Sequence, residues 1–155
     1  RRLYVEGLSM RSYSCRREPL KDGAPGAAVV AHVVPQVRLP AVVAGTIGSL
    51  QAYDDHHELR VEGRSRVGRV VPRSALAARL VQVSYRQDVL ALGEGRCKLR
   101  IVLEVSCGLP GLGGAVERFV AKASREKFQE QEGWTRAWLA SEEWKGRLRA
   151  TGGGV

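Results

Sequence analysis

A chain of 155 residues, 44% hydrophobic and 26% charged, has the make-up of one globular domain able to bury a substantial core, which excludes wholesale disorder. No apolar run approaches the roughly 20 residues of a membrane-spanning helix, and residues 1–18 hold no apolar segment of signal-peptide length. The net charge of +9, from 25 basic and 16 acidic residues, favours contact with polyanions or acidic lipid surfaces. The 20 arginines and 5 lysines are scattered rather than blocked, and no nucleic-acid motif accompanies them, so no specific nucleic-acid partner is expected.

Cys15, Cys97 and Cys107 form neither a CxxC pair nor a Cys/His zinc spacing. An odd count in a chain of normal core size argues against a disulfide scaffold and for an intracellular, reducing compartment. Cys97 and Cys107 fall in predicted strands and read as small buried hydrophobes.

The first half reads as β. "LYVEGLSMRSYSCRR" alternates irregularly and predicts one or two strands, and "LKDGAPGA" is the plainest turn in the chain. A β-branched run from Val29 to Val37 predicts a strand, with Pro35 marking an edge or a bulge in it. Pro40 at a first helical position and Gly48 as a terminator predict a short helical turn. "LQAYDDHHELRVEG" and "RSRVGRVV" read as moderately polar strands ending near Pro72. Strands are then predicted over 80–92 and 96–107, joined by a hairpin at 93–95. The second alternates Leu99, Ile101, Leu103 and Val105 against Lys98, Arg100, Val102 and Glu104.

From Leu112 the period changes to that of a helix, predicted over 112–131. Val116, Phe119, Val120 and Ala123 lie on one arc, continued by Trp134, Ala137 and Trp138 if the helix runs straight. Glu126, Lys127 and Glu130 interrupt that stripe, so the helix bends, ends near Gly133, or exposes its middle to water. One domain is expected over 1–149, with residues 150–155 as a flexible tail. The predicted class is α+β: a curved antiparallel β-sheet packed on a long C-terminal α-helix, with room for a cavity between them.

The glycine-rich "CGLPGLGG" before the helix fails as a phosphate loop. Gly111, Gly113 and Gly114 do not complete a dinucleotide fingerprint, no second parallel strand follows, and no Walker lysine occurs. It reads as a corner between sheet and helix, and no cofactor is expected. "YDDHHEL" (53–59) invites a metal proposal. Its adjacent histidines point to opposite faces, leaving His57 with Asp55, and His56 with Asp54 and Glu58. A solvated strand end is the simpler reading, and no metal is expected. His32 reads as a satisfied strand residue. No nucleophile elbow or Cys/His pair appears, and nothing marks Glu104 or Glu117 as an acid or base, so no catalytic set is assigned. Trp134, Trp138 and Trp144 have the spacing of helix packing more than of base stacking.

The element order resembles the START-like, or helix-grip, superfamily: lipid-transfer domains, birch-pollen-allergen relatives and polyketide cyclases. The likeness rests on "VRLPAVVAGTIG" (37–48), "CGLPGLGGAVERFVAKA" (107–123) and "WTRAWL" (134–139), and extends over roughly residues 8–140. Measured against that superfamily, the chain is expected to lack an opening strand and two short helices. The resemblance implies a fold and a cavity that binds or transfers a lipid or other apolar small molecule. It implies no reaction.

The expected lining is Val81, Val83, Val89, Ile101, Leu103 and Val105 from the strands, opposed by Val116, Phe119 and Val120 from the helix. Either alternating set of the two strands can face inward on sequence grounds. Two other functions remain open: a cavity enzyme of cyclase or hydratase type, and a basic module binding RNA or an assembly partner. Polar groups in the cavity would favour the enzyme, a uniformly apolar lining the binder, and a contiguous arginine face the module.

Overall fold

The computed structural model describes residues 10–35, 52–93 and 96–150. The helical turn predicted over 40–48, the strand signal before Met10, residues 94–95 and the tail from 151 lie outside them. The described part is α+β. Six antiparallel strands run in sequence order through one curved sheet: β1 Ser12–Glu18, β2 Gly26–Val34, β3 Tyr53–Arg60, β4 Ser65–Pro72, β5 Val81–Gly93 and β6 Arg96–Cys107. Three helices complete it: α1 Ala75–Leu80, α2 Gly113–Leu139 and α3 Glu142–Ala150.

Local chemistry sets the turns. Between β1 and β2, Gly23 takes φ +71° and donates to the Leu20 carbonyl, while Asp22 accepts from the Ala24 amide. β2 ends at Val34, so Pro35 stands just past the strand rather than making an edge or bulge within it. There its missing N–H costs the ladder nothing. The helix α1 was not foreseen. It is one short turn capped by Ser74, whose hydroxyl accepts from the Ala77 amide.

Register fixes which side chains share a face. β2 pairs Ala31 with Asp55, β3 pairs His57 with Gly68, and β4 pairs Arg66 with Gln87 and Gly68 with Tyr85. β5 pairs Val83 with Val105 and Tyr85 with Leu103. The concave face therefore carries Ala31, Asp55, His57, Arg66, Val83, Tyr85, Gln87, Leu103 and Val105. This decides the alternation in β5 and β6: the apolar set of β6 turns inward.

Two small cores anchor the two sides of this face. Ala77, Val81, Val83 and Val116 pack where α1, β5 and the start of α2 meet. Met10, Ala31 and Val33 pack on the other side, against Tyr13 and Tyr53. Beyond Asp88 the β5–β6 hairpin is exposed on both faces, and Cys97 lies there in the open rather than buried. Cys107, opposite Val81, is half-buried.

The corner "CGLPGLGG" turns the chain from β6 into α2. Gly111 takes φ +74°, a backbone region that favours glycine, and the Gly113 amide donates to the Leu109 carbonyl at 2.8 Å. A Cβ on Gly113 would collide with the Cys107 carbonyl oxygen. No side chain caps the helix, but Glu117 accepts from the Cys107 amide at 2.8 Å and ties its first turns to the strand end.

α2 runs unbroken through Gly133 to Leu139, eight residues beyond the predicted end at 131. The charged residues in its middle do not stop it. Lys127 lays its stem along the inward side and extends its ammonium to Glu130, 2.6 Å away. At the far end Trp138 stacks on Trp134 and meets Trp144 of α3 at a ring distance of 4.6 Å. The three rings pack on one another, and Ala137 of the predicted arc is exposed.

Candidate functional site

Between the two cores, α2 and the concave face flank a half-open cavity of about 210 Å³. Its apolar walls come from Val70, Val81, Val83, Leu103, Phe119, Val120, Ala123 and Phe128, and Met10, Pro35 and Tyr53 border it from the β1–β3 side. Polar side chains border it from both sides: Asp55, Arg66, Tyr85 and Gln87 from the sheet, and Ser124, Lys127 and Gln131 from the helix.

The wall polar groups form a compact network. The Tyr85 hydroxyl donates to Asp55 Oδ1 at 2.7 Å, and Arg66 Nη2 donates to Asp55 Oδ2 at 2.6 Å. The Arg66 guanidinium sits 5.1 Å from the Tyr85 ring centroid, a cation–π distance. His57 Nδ1 lies 3.3 Å from both Asp55 Oδ2 and Arg66 Nη2, and its tautomer decides which of the two it serves. Asp55 and His57 are 5% and 8% exposed, which corrects the reading of "YDDHHEL" as a solvated strand end. Burial would raise the Asp55 pKa. Hydrogen bonds from His57 and Tyr85 and the charge of Arg66 outweigh it and hold the carboxyl below its ordinary value.

On the opposite face His32 Nδ1 pairs with Asp54 Oδ1 at 3.0 Å across β2 and β3, a satisfied strand histidine. Glu104 accepts from Ser84 there at 3.1 Å. Among the described residues no three His, Cys, Asp or Glu side chains converge as a metal site.

The expected lining residues separate into groups. Val81, Val83, Leu103, Phe119 and Val120 line the cavity. Val116, 1% exposed, is core beneath it, and Val105 packs on the same core. Val105 also borders a second hollow, where β4 and β5 part beyond the Val70–Val83 pair. Val89 is 40% exposed on the free hairpin, and Ile101, half-buried opposite Gln87, does not border the cavity. The polar wall was missed. One signal for it was Gly68, isolated within "RVGRVV", because a lone strand glycine often marks close approach of a neighbour.

An α+β domain with a curved antiparallel meander, a long C-terminal helix and a cavity between them is the class of protein that fold and site define. Residues 10–139 match the model of a family described as Protein of unknown function (DUF2505), and the chain belongs to that family. No match was found among curated proteins. Among the described residues no helix is long and apolar enough to cross a membrane.

Proposed function

We propose that this domain binds a small hydrophobic molecule in the cavity between its sheet and α2. The observation that carries the reading is the cavity itself, walled mainly by aliphatic and phenylalanine side chains. Such a lining gains affinity by removing apolar surface from water, at about 25 cal/mol per Å² before association costs. At about 210 Å³ the cavity exceeds the space that holds a benzene ring, roughly 150 Å³. It falls short of the roughly 300 Å³ at which drug-sized sites begin. A single ring or a short acyl chain fits it, or one end of a longer lipid.

The lining is not uniformly apolar, and that observation keeps a cavity enzyme of cyclase or hydratase type as the second reading. Asp55 is the natural acid–base candidate, but both its oxygens already accept hydrogen bonds and its pKa is lowered. A general base works best with a free lone pair and a pKa near the working pH. Both oxygens of Asp55 are engaged and its pKa is moved away from neutrality, so the network reads as a device that fixes the wall. For the basic module, several of the described arginines are already paired with carboxylates. Arg86 and Arg100 share Asp88, and Arg60 is held by Asp22 and Glu58.

Native mass spectrometry of the purified protein and titration with N-phenyl-1-naphthylamine test the proposal. Binding at micromolar concentration, or a co-purified apolar molecule, is the expected outcome. A folded protein that takes up no apolar probe and carries no such molecule would refute it.

A further inference from the structure

The most buried of the polar groups that line the cavity outside this network is Gln87. It is 7% exposed and stands directly across from Arg66. Arg66 is drawn the other way, to Asp55. Among the described residues the Gln87 amide has no hydrogen-bond partner, and it opens onto the cavity. Once a ligand fills the cavity, the two donors and the acceptor of this amide are costly to leave unserved.

The charges around it limit what can serve it. Arg66 is compensated by Asp55, and Lys127 by Glu130, each at 2.6 Å. An ionised head group would add a net charge to walls whose charges are already paired, and burying an unpaired charge is strongly unfavourable. A neutral group that both donates and accepts meets the amide on equal terms, with its hydrocarbon against Val83, Leu103 and Phe119.

We propose that Gln87 is the polar anchor of the cavity and that the ligand is a neutral amphiphile, an alcohol or primary amide in class, rather than a carboxylate. This rests on the reading of the cavity as a binding site. Octanamide, octanol and octanoate are each used to displace N-phenyl-1-naphthylamine at pH 7. The two neutral compounds are expected to bind about tenfold more tightly than octanoate, the size of a well-made hydrogen bond. Gln87→Met, close in shape but without the amide, is expected to erase the preference, read as the ratio of the displacement constants so that any change in the reporter's own affinity cancels.

Octanoate binding as well as octanamide, or a preference that survives in Gln87→Met, overturns the assignment. If that variant does not fold, the wild-type spectrum decides. Octanamide is expected to shift the Gln87 side-chain amide resonance more than octane does, and equal shifts overturn the proposal. Failure of the reporter itself to bind refutes the cavity reading and this one with it, whereas a reporter that binds without head-group preference refutes this one alone.

Discussion

The phenol of Tyr85 on β5 reaches over β4 to donate to Asp55 on β3, and it can do so because the residue beneath its ring is Gly68. A Cβ at Gly68 would lie 2.8 Å from the Tyr85 ring carbon and hydroxyl and 2.7 Å from the His57 Cβ. The glycine is a space requirement set by a hydrogen bond two strands wide.

Gly68→Ala is therefore expected to displace Tyr85 and cost about 1–3 kcal/mol, the range of overpacked cores. Tyr85→Phe is expected to cost a similar amount by leaving Asp55 Oδ1 unserved. The two changes act on one contact, so the double variant should lose clearly less than the sum. Urea unfolding of the four proteins measures this, and full additivity would show that the glycine serves something else.

Asp55 makes stability depend on acid. Its folded pKa lies below the ordinary 3.8, so its ionised form stabilises the fold above that value. The contribution is lost as pH falls through the folded pKa. The stability gap between wild type and Asp55→Asn is expected to be widest near neutral pH and to shrink below about pH 4. Arg66→Met, which leaves a buried carboxylate without its cation, is expected to cost about 3–5 kcal/mol at pH 7 and less at pH 3. A pH-independent gap in the urea midpoints would remove Asp55 from the account.

The sheet was legible because its strands alternate and their turns carry Asp22-Gly23 and Gly93, residues whose backbone chemistry is local. The helix was legible from Val116, Phe119, Val120 and Ala123. Its length was not, because the Lys127 stem serves the apolar face while its charge does not, a division by atom that a residue pattern hides. The polar wall was illegible for another reason. Asp55, Arg66 and Tyr85 are far apart in sequence and meet only through the β3–β4 and β4–β5 registers, which depend on turns whose geometry composition does not fix. Asp55 and His57 were placed on one face by parity. That this face was the inner one required the third dimension.

Adjacent glycines at the corner are expected to behave oppositely. Gly113→Ala sets a methyl group against the Cys107 carbonyl, a rigid main-chain atom, and should destabilise measurably. At Gly114 the nearest atom to an added Cβ is the Arg118 guanidinium nitrogen, 3.5 Å away at the end of a flexible side chain. Gly114→Ala should be neutral or stabilising by up to about 1 kcal/mol, the helix preference of alanine over glycine. Thermal unfolding distinguishes the pair. Equal effects would mean that the corner is looser than its contacts indicate.

The net charge of +9 leads us to propose salt-sensitive attachment to acidic lipid surfaces. Vesicles containing anionic lipid are expected to sediment the protein at low salt and release it near 1 M, where the screening length falls to about 3 Å. Neutral vesicles should not retain it. Retention on both kinds at high salt would point to apolar insertion instead.

Val116 and Phe119 are one helical turn apart and are expected to separate folding from binding. Val116 is 1% exposed and packs on Val81, Val83 and Ala77, so Val116→Ala opens a void in that core. A cost of roughly 1–3 kcal/mol is expected, between the usual Ile→Val and Leu→Ala losses. Phe119 is half-buried and already faces open space in the cavity, so truncating it removes a wall without creating a new enclosed void. Phe119→Ala is therefore expected to lose less stability than a fully buried phenylalanine would, below the roughly 3–5 kcal/mol typical of such sites. Its effect should fall on binding of N-phenyl-1-naphthylamine, weakened as the ring's apolar contact is lost, while Val116→Ala should leave that affinity nearly intact in the folded fraction. Measuring urea unfolding and probe titration on both variants sets the two effects side by side. If Phe119→Ala destabilises as much as a buried aromatic and leaves probe affinity untouched, Phe119 belongs to the core and the probe sits elsewhere.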